Sequence, residues 1–287
     1  MHPRTTLLAG LAVACLGQVS SAALIAYEGF AVPGDYADGQ NLDGTATTTG
    51  DGWTGGWFKK TGSDDALLAD DVSLTYSNLV TTPGSALNPD SPSAADRADA
   101  YYRSFDFGTT FQPGDDYWIS ALFNRTTGGN NWTITLVDTD TPDTLAARNG
   151  VGFGDSNDGL NAFIQTQDGQ DDLAVANGQT HFVVARVSLD DTVVTDDPTV
   201  DVWLNPGLND DLASVAVGGG DASFSRGFFG APDVDLLAVY SHQSNEINLD
   251  EIRVGLNQGE VMPVPEPGSV ALVGAGAALM LARRRCG

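Results

Sequence analysis

Near the end of the chain, Glu246-Ile247-Asn248-Leu249-Asp250-Glu251 sets carboxylates into a β-like run. On a strand, residues two apart share a face, so Glu246 and Asp250 would point the same way. Two carboxylates about 5 Å apart on one face can serve as nucleophile and general acid at a glycosidic bond. Asn248 stands where a middle carboxylate would sit, and the far position falls to Asp250 or a displaced Glu251. These departures favour a strand edge bearing solvated acids, and no catalytic residue is assigned. A second grouping is Asp138-Thr139-Asp140-Thr141-Pro142-Asp143, followed by Asp155-Ser156-Asn157-Asp158-Gly159. Alternating oxygens suit a calcium loop, but the glycine at the sixth position and the distant Glu are missing, so solvated turns are expected. A third set is aromatic: Trp53, Trp57, Trp118, Trp132 and Trp203, with Tyr101 and Tyr102. Trp118 and Trp203 fall inside strand patterns and read as core. Trp53 and Trp57 lie in a glycine-rich turn, are expected to be exposed, and are the candidate carbohydrate contacts.

Other chemistries find little support. The only histidines of the central region are His181 and His242, too few for a histidine-rich metal site. No Gly-x-Ser-x-Gly elbow and no glycine-rich phosphate loop is present. Both cysteines, Cys15 and Cys286, lie in the terminal segments, which excludes a disulfide framework and a thiol nucleophile in between. No residue set requires a cofactor. All 38 acids fall between Glu28 and Glu266, against two lysines and seven arginines; nine minus 38 leaves −29. Nucleic acid and anionic lipid are poor partners for such a surface. Of the acids, 33 are Asp and five are Glu. Asp favours turns and Glu favours helices, so the skew points to a loop-rich all-β body.

The elements that would position these residues are short and β-rich, punctuated by Gly, Asp, Asn and Pro. Strands are predicted at Leu24–Phe30, Val72–Tyr76, Ala100–Phe107, Tyr117–Phe123, Trp132–Val137, Gly150–Phe153, Asn161–Thr166, Thr180–Leu189, Val200–Leu204, Asp235–Tyr240 and Ile247–Val254. Imperfect alternation from Phe182 to Leu189 suggests a strand buried on both faces. So many strands without helices mean an all-β, two-sheet antiparallel sandwich or a barrel. One domain is expected over residues 24–256, with a linker at 257–263.

The two ends read as targeting segments. Met1–Arg4 is a short charged region, Leu7–Val19 is apolar, and Ser21-Ala22-Ala23 offers cleavage to signal peptidase, so residues 1–23 form a signal peptide with a short helix. Ala12-Val13-Ala14-Cys15 is a competing, imperfect lipobox without the usual Leu. At the other end Val264-Pro265-Glu266-Pro267-Gly268 precedes an apolar run from Val270 to Ala282 and then Arg283-Arg284-Arg285. The prolines fix an extended backbone. The apolar run is a hydrophobic helix shorter than the about 20 residues of a full span, and the arginines hold its end on the cytoplasmic side. This three-part tail, residues 264–287, resembles the PEP-CTERM sorting domain of bacterial exported proteins. The resemblance implies processing by an exosortase, a membrane-embedded cysteine protease-transpeptidase. It also implies export across the inner membrane to the envelope, surface or extracellular matrix, with the C-terminal segment holding the membrane at least transiently. Polysaccharide surrounding the cell is the expected partner there.

A second resemblance rests on the ends of the central region. Leu24-Ile25-Ala26-Tyr27-Glu28-Gly29-Phe30 with Gly52-Trp53-Thr54-Gly55-Gly56-Trp57, and Leu249-Asp250-Glu251-Ile252-Arg253-Val254-Gly255, resemble the opening and closing segments of concanavalin A-like (LamG-type) jelly rolls. The resemblance implies that the first and last strands pair. It also implies that Glu28 and Asp250 would hold a structural Ca²⁺, with backbone carbonyls completing its oxygens. The alternative is that Glu28 pairs with Arg253 or faces water. Within the same fold, the Glu246–Glu251 run is similar to the Glu-x-Asp-x-Glu strand of retaining glucanases, which keeps a glycan-cleaving enzyme as second reading. A calcium-dependent adhesin is the third.

Overall fold

The computed structural model describes residues 24–45, 52–59, 66–88, 98–105, 115–126, 132–138, 150–155, 159–164, 167–168, 172–189, 198–226, 234–242 and 246–262. The expected signal helix and C-terminal hydrophobic helix lie outside these residues. Among the described residues, fifteen strands occur in chain order: β1 (Ala26–Glu28), β2 (Phe58–Lys59), β3 (Leu68–Asp70), β4 (Ser85–Asn88), β5 (Ala98–Ser104), β6 (Asp116–Arg125), β7 (Trp132–Asp138), β8 (Val151–Asp155), β9 (Leu160–Ile164), β10 (Gln167–Asp168), β11 (Thr180–Ser188), β12 (Thr199–Leu204), β13 (Ala222–Ser225), β14 (Val234–His242) and β15 (Ile247–Gly255). They are followed by one helical turn, α1 (Gln258–Val261).

Two antiparallel sheets form a jelly-roll sandwich. One runs β13-β12-β11-β6-β15-β4-β3, with β1 also on β15; the other runs β10-β9-β8-β7-β14-β5-β2. The first and last strands pair as expected, Ala26 opposite Val254 and Glu28 opposite Ile252. Alternation sends one face of each strand into a common core that includes Ile119, Phe123, Trp132, Phe153, Val183 and Val254. The strand from Thr180 is buried on both faces, as its imperfect alternation suggested. Val183, Ala185 and Val187 enter the central core, while Phe182 and Val184 enter a second core on the outer face of the eight-stranded sheet.

Two buried ion pairs cross the sandwich. Arg103 on β5 pairs with Glu28 on β1, and Arg125 on β6 pairs with Asp155 on β8. Each joins the two sheets, one near either end of the core. Arg125 is held further by the Asn177 side chain at 2.7 Å and the Val175 carbonyl at 3.1 Å. Desolvation makes such pairs weak contributors to net stability but expensive to break on one side.

Two expectations need correction. Val72–Tyr76 is not a strand. Strict alternation is absent, since Val72 and Ser73 are both exposed and only Leu74 is buried; the segment lies across the outer face of the eight-stranded sheet and bonds to side chains there instead of to a neighbouring strand. Residues 257–262, expected as linker, are packed: Val261 and Met262 belong to the second core. Replacing Arg103 with Met should strand a buried carboxylate at Glu28 and cost about 3–5 kcal/mol. In urea titrations this should appear as a lowered midpoint at unchanged slope, and adding Glu28→Gln should recover part of it.

Candidate functional site

β15 carries the candidate carboxylates, and its place in the sheet decides what they can do. It is a central strand, with β6 on one side and β4 and then β1 on the other. Ile247, Leu249, Ile252 and Val254 enter the central core. The pairing with β6 slips between Asp250 and Arg253, and Glu251 adopts a φ of 53°. This is a β-bulge, one extra residue in the left-handed region. Without it, Glu251 would point into the apolar core. With it, Asp250, Glu251 and Arg253 all stay on the outer side.

That outer side is closed. Residues 71–84, between β3 and β4, cross it as a strap that bonds to these three side chains. The Leu74 N–H donates to Asp250 Oδ2 at 3.3 Å, and the Glu251 N–H donates to Asp250 Oδ1 at 2.7 Å. Glu251 accepts from the Thr82 N–H, from the Thr82 hydroxyl at 3.1 Å and from the Tyr27 hydroxyl at 3.0 Å. Arg253 pairs with Glu251 and donates to the Val80 carbonyl at 2.7 Å. Further along the strap, Tyr76 packs on Phe182 at 5.2 Å between ring centroids and donates to the Pro206 carbonyl at 3.1 Å. Residues 205–221 cover the neighbouring strands. Arg186 fixes them by donating to the Val215 carbonyl at 2.8 Å while paired with Asp201 at 2.6 Å. The Trp118 and Trp203 rings stack beneath, 5.8 Å apart.

The electrostatics follow from this closure. Asp250 is 0 % exposed. Burial first, and then the neighbouring Glu251 charge, push its carboxyl up to about 9. Burial also raises Glu251, against the pull of Arg253 and its donors. Burial and the Glu251 charge push the Tyr27 hydroxyl well above its ordinary range. Burial and the neighbouring Glu251 charge thus disfavour the ionised form of Asp250. A covered acid committed to backbone N–H groups is not placed to attack a substrate. Glu246 is partly exposed, and its backbone carbonyl accepts from Thr126. The open carboxylate groove that a glycan-cleaving enzyme needs is not formed by these residues.

The remaining sequence candidates are placed as follows. Glu28 does not pair with Arg253 and does not face water. Its Oε1 accepts the Phe30 N–H at 2.9 Å. Its Oε2 accepts Tyr36 Oη and Trp57 Nε1, each at 3.2 Å, and Arg103. Both Glu28 oxygens are thus engaged, with a guanidinium alongside. The exposure expected for Trp53 and Trp57 is overturned. Trp57 is 0 % exposed and stacks on Phe30 at 5.9 Å. Trp53 is 9 % exposed, donates to the Tyr27 carbonyl at 2.7 Å and lies between Phe105 and the Arg103 guanidinium. The glycine-rich turn signalled a loop correctly, but that loop folds its indoles inward onto the Glu28–Arg103 pair. Asp155 is the partner of Arg125 and no turn residue; Asp140, Asp143 and Asn157 lie outside the described residues. His181 is buried, its ring nitrogens 3.0 Å from the Ala176 carbonyl and from Asn205 Nδ2.

The sequence reading missed two features. Asp38, Asp70 and Asp71 bring carboxylate oxygens within 4.8 Å of one another. Asp38 is distant in sequence from the other two, and Asp70 already accepts from the Val72 N–H and from Asn248 Nδ2. The other feature is Phe58 on β2, an edge strand. It is 42 % exposed and stacks on Tyr102 at 5.4 Å, on the outer side of the seven-stranded sheet. On the same side, β8 and the residue before it present Gly150, Gly152 and Gly154. A Cβ at these positions would lie 2.3, 2.2 and 2.1 Å from carbonyls of β7. The glycines thus let two strands approach where no side chain would fit.

With this geometry in hand, comparison with known proteins adds the following. Residues 263–285 match the PEP-CTERM protein-sorting motif. The chain carries a signal for export and cell-surface sorting, which implies processing by exosortase. No curated protein matches the chain. Among solved structures, the T. cruzi calreticulin globular domain is 12% identical over 80% of this chain and 95% of its own, with a TM-score of 0.44. The CBM22-1 xylan-binding domain of Paenibacillus barcinonensis Xyn10C is 10% identical over 82% and 95%, with a TM-score of 0.32. The Emp47p carbohydrate recognition domain is 10% identical over 76% and 94%, with a TM-score of 0.38. All three lie below a TM-score of 0.5, and the jelly-roll architecture rests instead on the strand order described above. Among the described residues no helix is long and apolar enough to cross a membrane.

The raised carboxyls make a definite pH signature. A folded-state pKa above the unfolded value favours the folded protein while the group is protonated. The contribution of Asp250 is full below the ordinary carboxylate range and is lost as pH rises through about 9. Thermal midpoints measured from pH 4 to 9 should therefore contain a falling component. Asp250→Asn should flatten that component, even where the loss of one acceptor lowers the whole curve.

Proposed function

We propose that this chain is an exported surface protein whose tail is processed by exosortase. Its acidic jelly roll then acts without catalysis, as a polysaccharide-binding or matrix component around the cell. The observation that carries the non-catalytic reading is the commitment of Asp250 and Glu251 to the strap. The carboxylates best spaced for glycoside chemistry close the sheet instead of opening it. The sorting motif at residues 263–285 supports the location. Until processing, the apolar run at Val270–Ala282 and the three arginines hold the protein to the membrane.

The charge narrows the class of glycan. Four of the seven arginines between Glu28 and Glu266 (Arg103, Arg125, Arg186 and Arg253) are buried in ion pairs with acids. Acids outnumber bases among the remaining residues, and such a surface repels anionic polysaccharide at low salt and suits neutral or amino-bearing sugars. Phe58 over Tyr102 offers the exposed aromatic face on which a sugar ring would stack, the role first assigned to Trp53 and Trp57.

Secreted protein should be retained by neutral or amino-sugar polysaccharide from the envelope and should release no reducing ends from it. Phe58→Ala should weaken that retention by roughly tenfold, about 1.4 kcal/mol. Its thermal midpoint should hardly move, since Phe58 lies on an exposed edge. Release of reducing ends would overturn the non-catalytic reading, and unchanged retention of Phe58→Ala would remove this platform.

A further inference from the structure

The folded body ends in a small docked element. Asn257 caps α1, its Oδ1 accepting the Glu260 N–H at 3.2 Å. Glu260 reaches back to accept the Leu256 N–H at 2.7 Å. Gln258 ties the cap to the 205–221 loop by accepting the Ala213 N–H at 2.8 Å. The Ser120 hydroxyl on β6 donates to the Val261 carbonyl at 2.7 Å. Val261 and Met262 are buried in the second core with Leu74, Trp118 and Leu208.

The sorting motif starts at residue 263, immediately after buried Met262. Pro265 is three residue steps from Met262, roughly 11 Å at full extension, and Val270 is eight steps away, at most about 29 Å. A body of this length has a radius of gyration of roughly 18 Å. An enzyme seated in the membrane must therefore grip the motif in a gap narrower than the body. Extended peptides are gripped through main-chain hydrogen bonds and alternate side-chain pockets. Residues 258–262 offer neither while they are helical and buried.

We propose that this cap gates the sorting reaction. Val261 and Met262 are positioning residues, and the cap must leave the sheet before exosortase can engage the chain N-terminal to Pro265. The inference rests on the sorting reading of the tail. Undocking is a local opening: it frees one turn and two apolar side chains and leaves both sheets paired.

Pulse-chase in cells carrying the processing enzyme tests this by following loss of the tail from the full chain. The variants are Val261→Ser with Met262→Ser, Ser120→Ala, and a Gly/Ser insert of about six residues between Met262 and Pro263. The weakened caps should lose the tail about threefold faster or more. The insert, which supplies free chain while leaving the cap docked, should be equally fast and insensitive to the substitutions at 261 and 262. Its thermal midpoint should match that of the parent protein, which separates access from general destabilisation. Equal rates in all variants would overturn the gate, as would acceleration by the substitutions without acceleration by the insert. If no variant loses its tail, the sorting reading fails and the gate falls with it.

Discussion

The extra residue in β15 governs what the outer face of this protein can be. Three ionisable side chains follow one another closely there, and an apolar core lies on one side of the strand. Regular alternation would force Glu251 into that core, uncompensated. The left-handed turn at Glu251 avoids this at a modest backbone cost and sends Asp250, Glu251 and Arg253 to the same side. Once together, they need partners, because each is buried. The strap supplies them through Leu74, Val80 and Thr82. The strap in turn brings Leu74, Leu79 and Tyr76 over the sheet and creates the second core. A feature that looks like catalytic machinery in one dimension is, in three, the anchorage of a cover.

The division of charge follows the same logic. Basic residues are scarce, and the described structure uses four arginines inside. Arg103 and Arg125 join the sheets, Arg186 holds the 205–221 loop and Arg253 serves the bulge. Arginine suits this work because its planar fork meets a carboxylate and backbone carbonyls together. Arg186, donating to Asp201 and to the carbonyls of Val215 and Ala216, shows all three. Each of these arginines takes one acid inside with it, so the excess of acids over bases is left to the rest of the chain. That excess biases the protein against anionic partners.

The fold was legible where periodicity and turn chemistry coincide. The strands at Tyr117, Trp132, Thr180, Val200 and Ile247, and the pairing of first and last strands, could be read because each has a hydrophobic run bounded by turn residues. Ser85–Asn88 was not legible: it is short, lacks β-branched residues and follows a Pro-Gly turn. Val72–Tyr76 misled because its β-branched and aromatic residues have the composition of a strand, whereas only Leu74 is buried. At the candidate site, sequence located the acids but not their environment. Spacing gives the face a side chain occupies only when the strand is regular, and the bulge breaks that rule between Asp250 and Arg253. Burial of Trp53 and Trp57 depends on Arg103 and Glu28, both far away in sequence, and no local pattern announces such a contact.

The same long-range dependence ties the C-terminal cap to the completeness of the fold. Val261 and Met262 contact no surface that one segment provides alone. Leu74 and Leu79 come from the strap, Trp118 and Leu122 from β6, Phe182 and Val184 from β11, and Leu208 and Leu212 from the loop after β12. β15 pairs with β6, and α1 follows it directly onto that surface. These contacts have high sequence separation. The docked cap therefore depends on the strap, β6, β11 and the loop after β12 being in place together. The sorting motif begins at the next residue. A chain that has not closed its sheet has no docked cap, and the two differ at the point where the tail emerges.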